Sequence, residues 1–223
     1  MSQQFLKLIQ TGATADIAAA VETDPALVEA RDPQGVSPLL WSVYAGQPMV
    51  RDYLLAQLAT RGALLDVFEA SAVGDALRLE DILTADPAAV HAYSGDGWTA
   101  LHLGAAFGTS AAVDMLLQHG APIDVVSKNP QRNQPLHAAL ALGRDPESVR
   151  LLLAHGADPN VVQAGGFTAL FSAATANRRD LCEMLIQAGA NAQHRADMGK
   201  TAAEFARERG HIDLADWLEG QPA

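Results

Sequence analysis

Residues 96–124, DGWTALHLGAAFGTSAAVDMLLQHGAPID, read as turn, helix, turn, helix, turn. Asp96-Gly97 is a turn dipeptide in which Gly97 is free to take φ > 0. Thr99 is placed to cap a helix, its hydroxyl accepting from an orphan helical N–H. Leu101, Ala105 and Ala106 follow at helical spacing, and Gly108 is expected to stop that helix as a C-terminal glycine. Ala112, Val113, Leu116 and Leu117 form the apolar stripe of a second helix, which Gly120 ends. Helices this short cannot bury an apolar side alone, so the unit needs neighbours.

The neighbours are present. Leu101-His102 is echoed by Leu136-His137 after 35 residues, by Leu170-Phe171 after another 34 and by Ala203-Glu204 after another 33. The ends of the second helices repeat too, as LLQHGAPID (116–124), LLAHGADPN (152–160) and LIQAGANAQ (185–193). A period near 33 residues with T-P-L-H-like and G-A-D-x-N-like punctuation resembles the ankyrin repeat. The resemblance implies an all-α solenoid of stacked helix-turn-helix units joined by β-turn or hairpin-like loops. It implies one domain over residues 1–223 with about seven helix pairs, of which 1–34 and 197–223 are the caps.

Towards the N-terminus, Phe5, Leu8 and Ile9 share a helical face, then Ile17, Ala20 and Val21. Ser37-Pro38-Leu39-Leu40 fills the T-P-L-H slot of a first full unit, with Ser37 as cap and Pro38 at the first helical position. The linker around 59–65 is longer than the family pattern, and the boundaries across 59–93 are indistinct. A shift of 62 residues maps Gly12 onto Gly74, Asp24-Pro25 onto Asp86-Pro87, Gly35 onto Gly97 and Leu39 onto Leu101, which marks a two-unit duplication. Arg132 and Gln134 depart from the family's Gly and Thr, so the turn before 135 is expected to be irregular, with about one residue inserted after Gly143. Asn177 stands for the usual Gly between helices, a substitution left-handed backbone tolerates. In the last unit Ile212, Leu214, Ala215, Trp217 and Leu218 are expected to pack inward.

The net charge is −11, which disfavours bulk nucleic-acid binding. Residues 1–111 carry 5 basic against 13 acidic side chains, and residues 112–223 carry 10 against 13. The excess negative charge therefore lies in the N-terminal half, where it either steers a basic partner segment or merely keeps the surface soluble. One cysteine, Cys182, excludes an intrachain disulfide. No secretory leader or membrane span is legible, so the simplest expectation is a cytoplasmic monomer away from membranes.

The 7 histidines prompt a search for a metal or catalytic centre. His102 and His137 fall at the position that, in ankyrin repeats, ties one turn to the next. Equivalent positions in adjacent repeats lie about 10 Å apart, too far for two imidazoles to share a zinc at about 2.0–2.1 Å. His119 and His155 suit helix C-termini, and Cys182 reads as a buried small hydrophobe. No nucleophile elbow and no phosphate-cradling glycine loop is present. No cofactor and no enzymatic activity is expected; a metal-dependent or enzymatic regulator using the histidines, and a self-associating structural protein, are the alternatives.

The family resemblance implies a non-catalytic scaffold that binds an as yet unidentified protein through its concave groove and turn tips. Carried over by position, the contact residues are Gln34, Val36, Trp98, Phe167 and Lys200 at the turns. At the ends of the first helices they are Tyr44, Ala106, Phe107, Leu142 and Thr175. Tyr44, Trp98, Phe107, Leu142 and Phe167 would make a discontinuous apolar stripe of the kind that anchors partners. The other reading is that Trp98 and Phe167 only pack on neighbouring turns. Trp41, one position deeper, reads as core.

Overall fold

The computed structural model describes residues 1–142 and 145–222. Among them are fourteen α-helices arranged as successive antiparallel pairs. The first helices are α1 (Gln3–Thr11), α3 (Pro38–Tyr44), α5 (Val67–Val73), α7 (Ala100–Phe107), α9 (Pro135–Leu142), α11 (Ala169–Thr175) and α13 (Ala202–Glu208). Their partners are α2 (Thr14–Thr23), α4 (Pro48–Thr60), α6 (Ala76–Ala85), α8 (Ser110–Gln118), α10 (Pro146–Ala154), α12 (Arg179–Gln187) and α14 (Ile212–Glu219). The first helices stack in one layer, α1 on α3 through to α13, while α6, α8, α10 and α12 pack in a second. The fold is an all-α repeat solenoid.

The starts follow local chemistry. Ser37, Thr99 and Thr201 sit in extended backbone, and their hydroxyls accept from the N–H groups of Leu40, His102 and Glu204. Positive φ falls where the left-handed region was expected for a non-glycine residue, at Asn177 (55°), and also at Arg132 (48°), which replaces a glycine. Gly108 is different. Its φ is −79°, so it is not a left-handed stop. An added Cβ would lie 2.3 Å from the Ser71 carbonyl oxygen, so Gly108 is needed for the close approach of α7 to α5.

The 62-residue duplication is visible in three dimensions. Gly12 (φ 73°) packs against Gln47, and Gly74 (φ 79°) against Thr109. Asp24 and Asp86 each accept from the amide two residues on and open matching 3-10 turns, Pro25–Glu29 and Pro87–His91. Apolar residues separate into an N-terminal core, including Ile9, Ile17, Leu39, Val50 and Leu54, and a longer core running from Val67 to Leu218. At the C-terminal end Leu214, Ala215 and Leu218 are buried, but Ile212 is 46% exposed. It stands two residues before the stripe, on the far side of the helix, so the inward packing expected of it is corrected.

Hairpin tips project from most pairs. Each closes on itself through a backbone bond: Asp32 N to Val36 O (3.0 Å), Ser94 N to Trp98 O (2.7 Å), Ser127 N to Asn133 O (2.8 Å), Gln163 N to Phe167 O (2.9 Å) and Ala196 N to Lys200 O (3.0 Å). The tip at 127–133 carries two extra residues, the irregular turn that the sequence predicts. Successive tips are stitched by Lys128 N to Gly97 O (2.8 Å), Ala164 N to Gln131 O (3.0 Å) and Asp197 N to Gly165 O (3.0 Å).

The third pair has no tip. Its predecessor α4 runs to Thr60, longer than the other second helices, and α5 starts at Val67. The residues expected to form a long linker are partly helix. The tips of the second and fourth pairs therefore meet directly over the N-terminus of α5. A Cβ on Gly95 would lie 1.4 Å from the Gln34 carbonyl oxygen. Below this contact Arg31 reaches Asp66 (3.1 Å) and the buried Glu69 (3.3 Å), the two carboxylates of the box capping α5.

Gly95→Ala is expected to lower stability by at least about 2 kcal/mol in chemical denaturation, because backbone must move to admit the methyl. Gly35→Ala, with φ 82° but open space around it, should cost only about 1–2 kcal/mol. Equal losses at the two positions would contradict the tip contact.

Candidate functional site

The missing tip leaves α5 flanked by bulkier neighbours. α5 presents Ala72 where α3 presents Trp41 and Tyr44 and where the fourth pair presents Trp98 and Phe107. The large rings meet across the small residue. Tyr44 and Phe107 have centroids 5.3 Å apart, Trp98 and Phe107 6.2 Å, and Trp41 and Tyr44 5.9 Å. With Val36, Leu40, Ala72 and Leu103 they form a small separate core on the inner face. Edge and tilted ring pairs of this kind add about 0.5–1.5 kcal/mol each beyond area burial.

The expected stripe is thus two clusters. Tyr44, Trp98 and Phe107 come together and are half-buried. Phe167 joins Phe171 (5.4 Å) and Phe205 (5.6 Å) in a second group towards the C-terminus. The exposed large apolar side chains are others, among them Leu77, Met49 and Leu64. Gln34 is exposed, and Thr175 and Lys200 are half-buried. Thr175 Oγ1 turns back onto the Phe171 carbonyl oxygen (2.9 Å), and Lys200 pairs with Glu208 (2.5 Å). Val36 and Ala106, assigned to the contact surface by position, are each only 2% exposed. Val36 packs within the small core beneath the rings and Ala106 is buried in α7, so both are corrected from exposed contacts to buried positions. The side chain of Leu142 lies outside the described residues. Trp41 is half-buried rather than core, and its Nε1–H donates to Asp32 Oδ2 (2.8 Å).

Beside the ring cluster, the tips of the second, fourth and fifth pairs enclose a groove of about 440 Å³. Trp41, Tyr44 and Val36 line its floor, and Gln34, Asp96 and Pro130 its rim. A second hollow of about 240 Å³ lies across the cluster, between Val43, Pro48, Ala72 and Phe107. The Tyr44 hydroxyl is buried and faces the Asp96 carboxylate without a well-aligned hydrogen bond to it. Burial, and then the carboxylates of Asp96, Asp66 and Asp32, push its pKa up, so the phenol stays neutral. Asp96 takes a short bond from Ser94 Oγ (2.5 Å). Lys128 holds its Nζ 3.8 Å from the centre of the Tyr93 ring.

The histidines serve as ties between turns. His102 Nε2 bonds the Asn133 carbonyl oxygen (3.0 Å) and its Nδ1 the Thr99 hydroxyl (2.8 Å). His137 Nε2 bonds the Val161 carbonyl oxygen (3.0 Å). A carbonyl can only accept, so Nε2 carries the hydrogen in both rings. His194, without a partner legible in sequence, bonds Gly166 O (2.8 Å), and His211, at the start of α14, bonds Thr175 O (3.2 Å). His119 pairs with Glu80 (3.1 Å). Among the described residues no group of three or more His, Cys, Asp or Glu side chains could hold a metal ion. Cys182 is buried, and burial pushes its thiol pKa up to about 12, which suppresses the thiolate. No helix of the described residues is long and apolar enough to cross a membrane.

Stacked helix pairs, hairpin tips stitched edge to edge and buried histidines tied to following turns define a helical-repeat solenoid. The family model for ankyrin repeats (3 copies) matches residues 67–163 and 140–221, together more than half of the chain. The chain belongs to the ankyrin-repeat family, whose members generally mediate protein–protein interaction. It is similar to the B-cell lymphoma 3 protein homolog of Mus musculus, with 34% identity over 53% of this chain and 26% of the relative. It is similar to the human diacylglycerol kinase iota, at 35% over 42% of this chain and 9% of the kinase. A probable E3 ubiquitin-protein ligase XBOS31 of rice matches at 41% over 39% of this chain and 19% of the relative. The chain spans about a quarter or less of these relatives, so the similarity speaks to the repeats and not to kinase or ligase activity.

Two measurements check this geometry. Burial holds the His102 pKa down at about 4 against 6.5. As pH falls the unfolded chain takes up this proton first, so the associated stability is complete above pH 6.5 and lost between 6.5 and 4. Between pH 7 and 5 the wild type should lose about 2 kcal/mol more than His102→Gln; parallel losses would show that the ring titrates normally. Tyr44→Phe removes a buried hydroxyl without a well-aligned partner and should be neutral or stabilising by about 1 kcal/mol. A loss of that size in thermal or chemical unfolding would mean that the hydroxyl has a partner.

Proposed function

We propose that this chain is a non-catalytic protein-binding scaffold that takes its partner on the inner face of its N-terminal half, at the ring cluster and the tips around it. The observation that supports the reading is the groove at the crossing of three tips. Its aromatic floor, Trp41 and Tyr44, is half-open and continues through Phe107 to Trp98. The exposed edges of Trp98 and Phe107, with Gln34 beside them, are the contact points in this reading, and Tyr44 supports them from behind. Thr175, Lys200 and Phe167 belong to a second, more polar stretch that extends the footprint. The same reading takes the protein to be a monomeric cytoplasmic adaptor, in keeping with its lone buried cysteine.

The test is capture from a lysate of the source cells with the wild-type chain and with Trp98→Ala/Phe107→Ala as baits. Circular dichroism would establish that both are folded. The rings also pack on Tyr44, so the variant is expected to be less stable by about 2–4 kcal/mol yet still folded in a stack this long. A partner retained at least tenfold less by the variant carries the proposal. Equal retention by the folded variant would place the contact on another face.

A further inference from the structure

The groove at the three tips has a chemical sign. Its floor is made by Trp41 and Tyr44, whose rings stand edge to face at 73°, and its rim carries the carboxylate of Asp96. Asp66 and Asp32 stand close enough to add to the field at Tyr44. The half of the chain that holds Trp41, Tyr44 and Asp96 is the one with 13 acidic against 5 basic side chains. The one cation on the rim, Lys128, is turned onto the Tyr93 ring and forms no ion pair with Asp96. Asp32 is occupied by the backbone amides of Gln34 and Val36 (each 2.9 Å) and by Trp41 Nε1. Asp96 accepts from Ser94 Oγ at one oxygen and faces the Tyr44 hydroxyl; a carboxylate has about four lone-pair sites, so it can still accept from a donor outside.

We propose that this groove is a receptor for an arginine side chain of the partner, the guanidinium lying between the edge-to-face rings of Trp41 and Tyr44, stacked on one of them, and donating to Asp96. A guanidinium is planar and weakly hydrated, stacks on an aromatic face and forks onto carboxylates, which suits an aromatic floor with one carboxylate at its edge. At about 440 Å³ the groove falls within the roughly 300–1,000 Å³ of small-ligand clefts. The inference rests on the protein-binding reading above and names the chemistry of the partner segment: extended, basic and presenting an arginine.

The probe is the acetylated, amidated peptide Ala-Ala-Arg-Ala-Ala, titrated to about 10 mM against the full chain in a nitrogen–proton correlation NMR experiment. Citrulline and glutamate versions serve as controls. The three indole signals report separately: Trp41 lines the groove, Trp98 stands at the other end of the same ring cluster beyond Tyr44 and Phe107, and Trp217 is at the far end of the stack. The expected result is saturable movement of the Trp41 indole and the Asp96 and Gly97 amides, with Trp217 unmoved. The citrulline peptide should have no effect, Asp96→Asn should weaken binding about tenfold, and Lys128→Gln should leave it equal or tighter. No movement, equal movement with citrulline, or a response to the glutamate peptide would each overturn the assignment. If the peptide fails while lysate capture still depends on Trp98 and Phe107, the arginine assignment falls and the protein-binding reading stands. If capture is also independent of those rings, both fall.

Discussion

Every helix pair in this chain borrows its core from the next. A helix of seven to ten residues, such as α5 or α6, buries its stripe only when another pair closes over it. The stack therefore depends on how closely the first helices approach. That approach is bought with small residues, as at Gly108 under the Ser71 carbonyl oxygen and Gly104 beside Leu116. The histidine ties work in the same direction. His102 and His137 each donate a hydrogen bond from a buried ring to a carbonyl of the following turn, and burial keeps those rings neutral.

A stack governed by nearest neighbours is sensitive to a unit that lacks a part. The third pair contributes helices but no tip, and the consequences are local and connected. The flanking tips close over the gap until Gly95 abuts the backbone of Gln34. The capping box of α5 is roofed, so Glu69 is buried, its carboxyl pushed up by burial and by Asp66 while Arg31 pulls it down. The rings from either side meet over Ala72. The groove beside them is a product of the same omission, since three tips converge there instead of running in a ladder.

Much of this architecture is legible in the sequence because it rests on local rules with fixed spacing. The helix caps at Ser37 and Thr99, the left-handed position at Asn177 and the irregular turn at 127–133 all follow from residue type and period. The candidate site is less legible. Position within a repeat predicts which side chain faces inward, but whether that face is solvent depends on the size of residues one and two units away. Val36 and Ala106 were placed at the surface by position and are buried by neighbours. The loss of a tip looked like an elongated linker because α4 absorbs the residues that elsewhere lie outside a helix. Gly108 has the sequence context of a helix stop and the geometry of a close contact. Spacing alone does not separate the two.

The duplication explains how such a cluster arises without disturbing the stack. A shift of 62 places Trp98 over Val36, Ala106 over Tyr44 and Phe107 over Ala45. At each of these matched sites one copy carries a large ring and the other a smaller aliphatic residue. Two large rings at matched sites would project along parallel directions and stay one full duplication apart. Staggered by one position, Tyr44 and Phe107 instead reach towards each other across the intervening helix, to 5.3 Å. The cluster joins the two copies on the inner face, in addition to the contact of their tips. A surface made this way is held by side chains from non-adjacent repeats. Its shape is set by the pairing of the two copies rather than by any single repeat, which is why the family pattern specifies the stack and leaves the groove to this sequence alone.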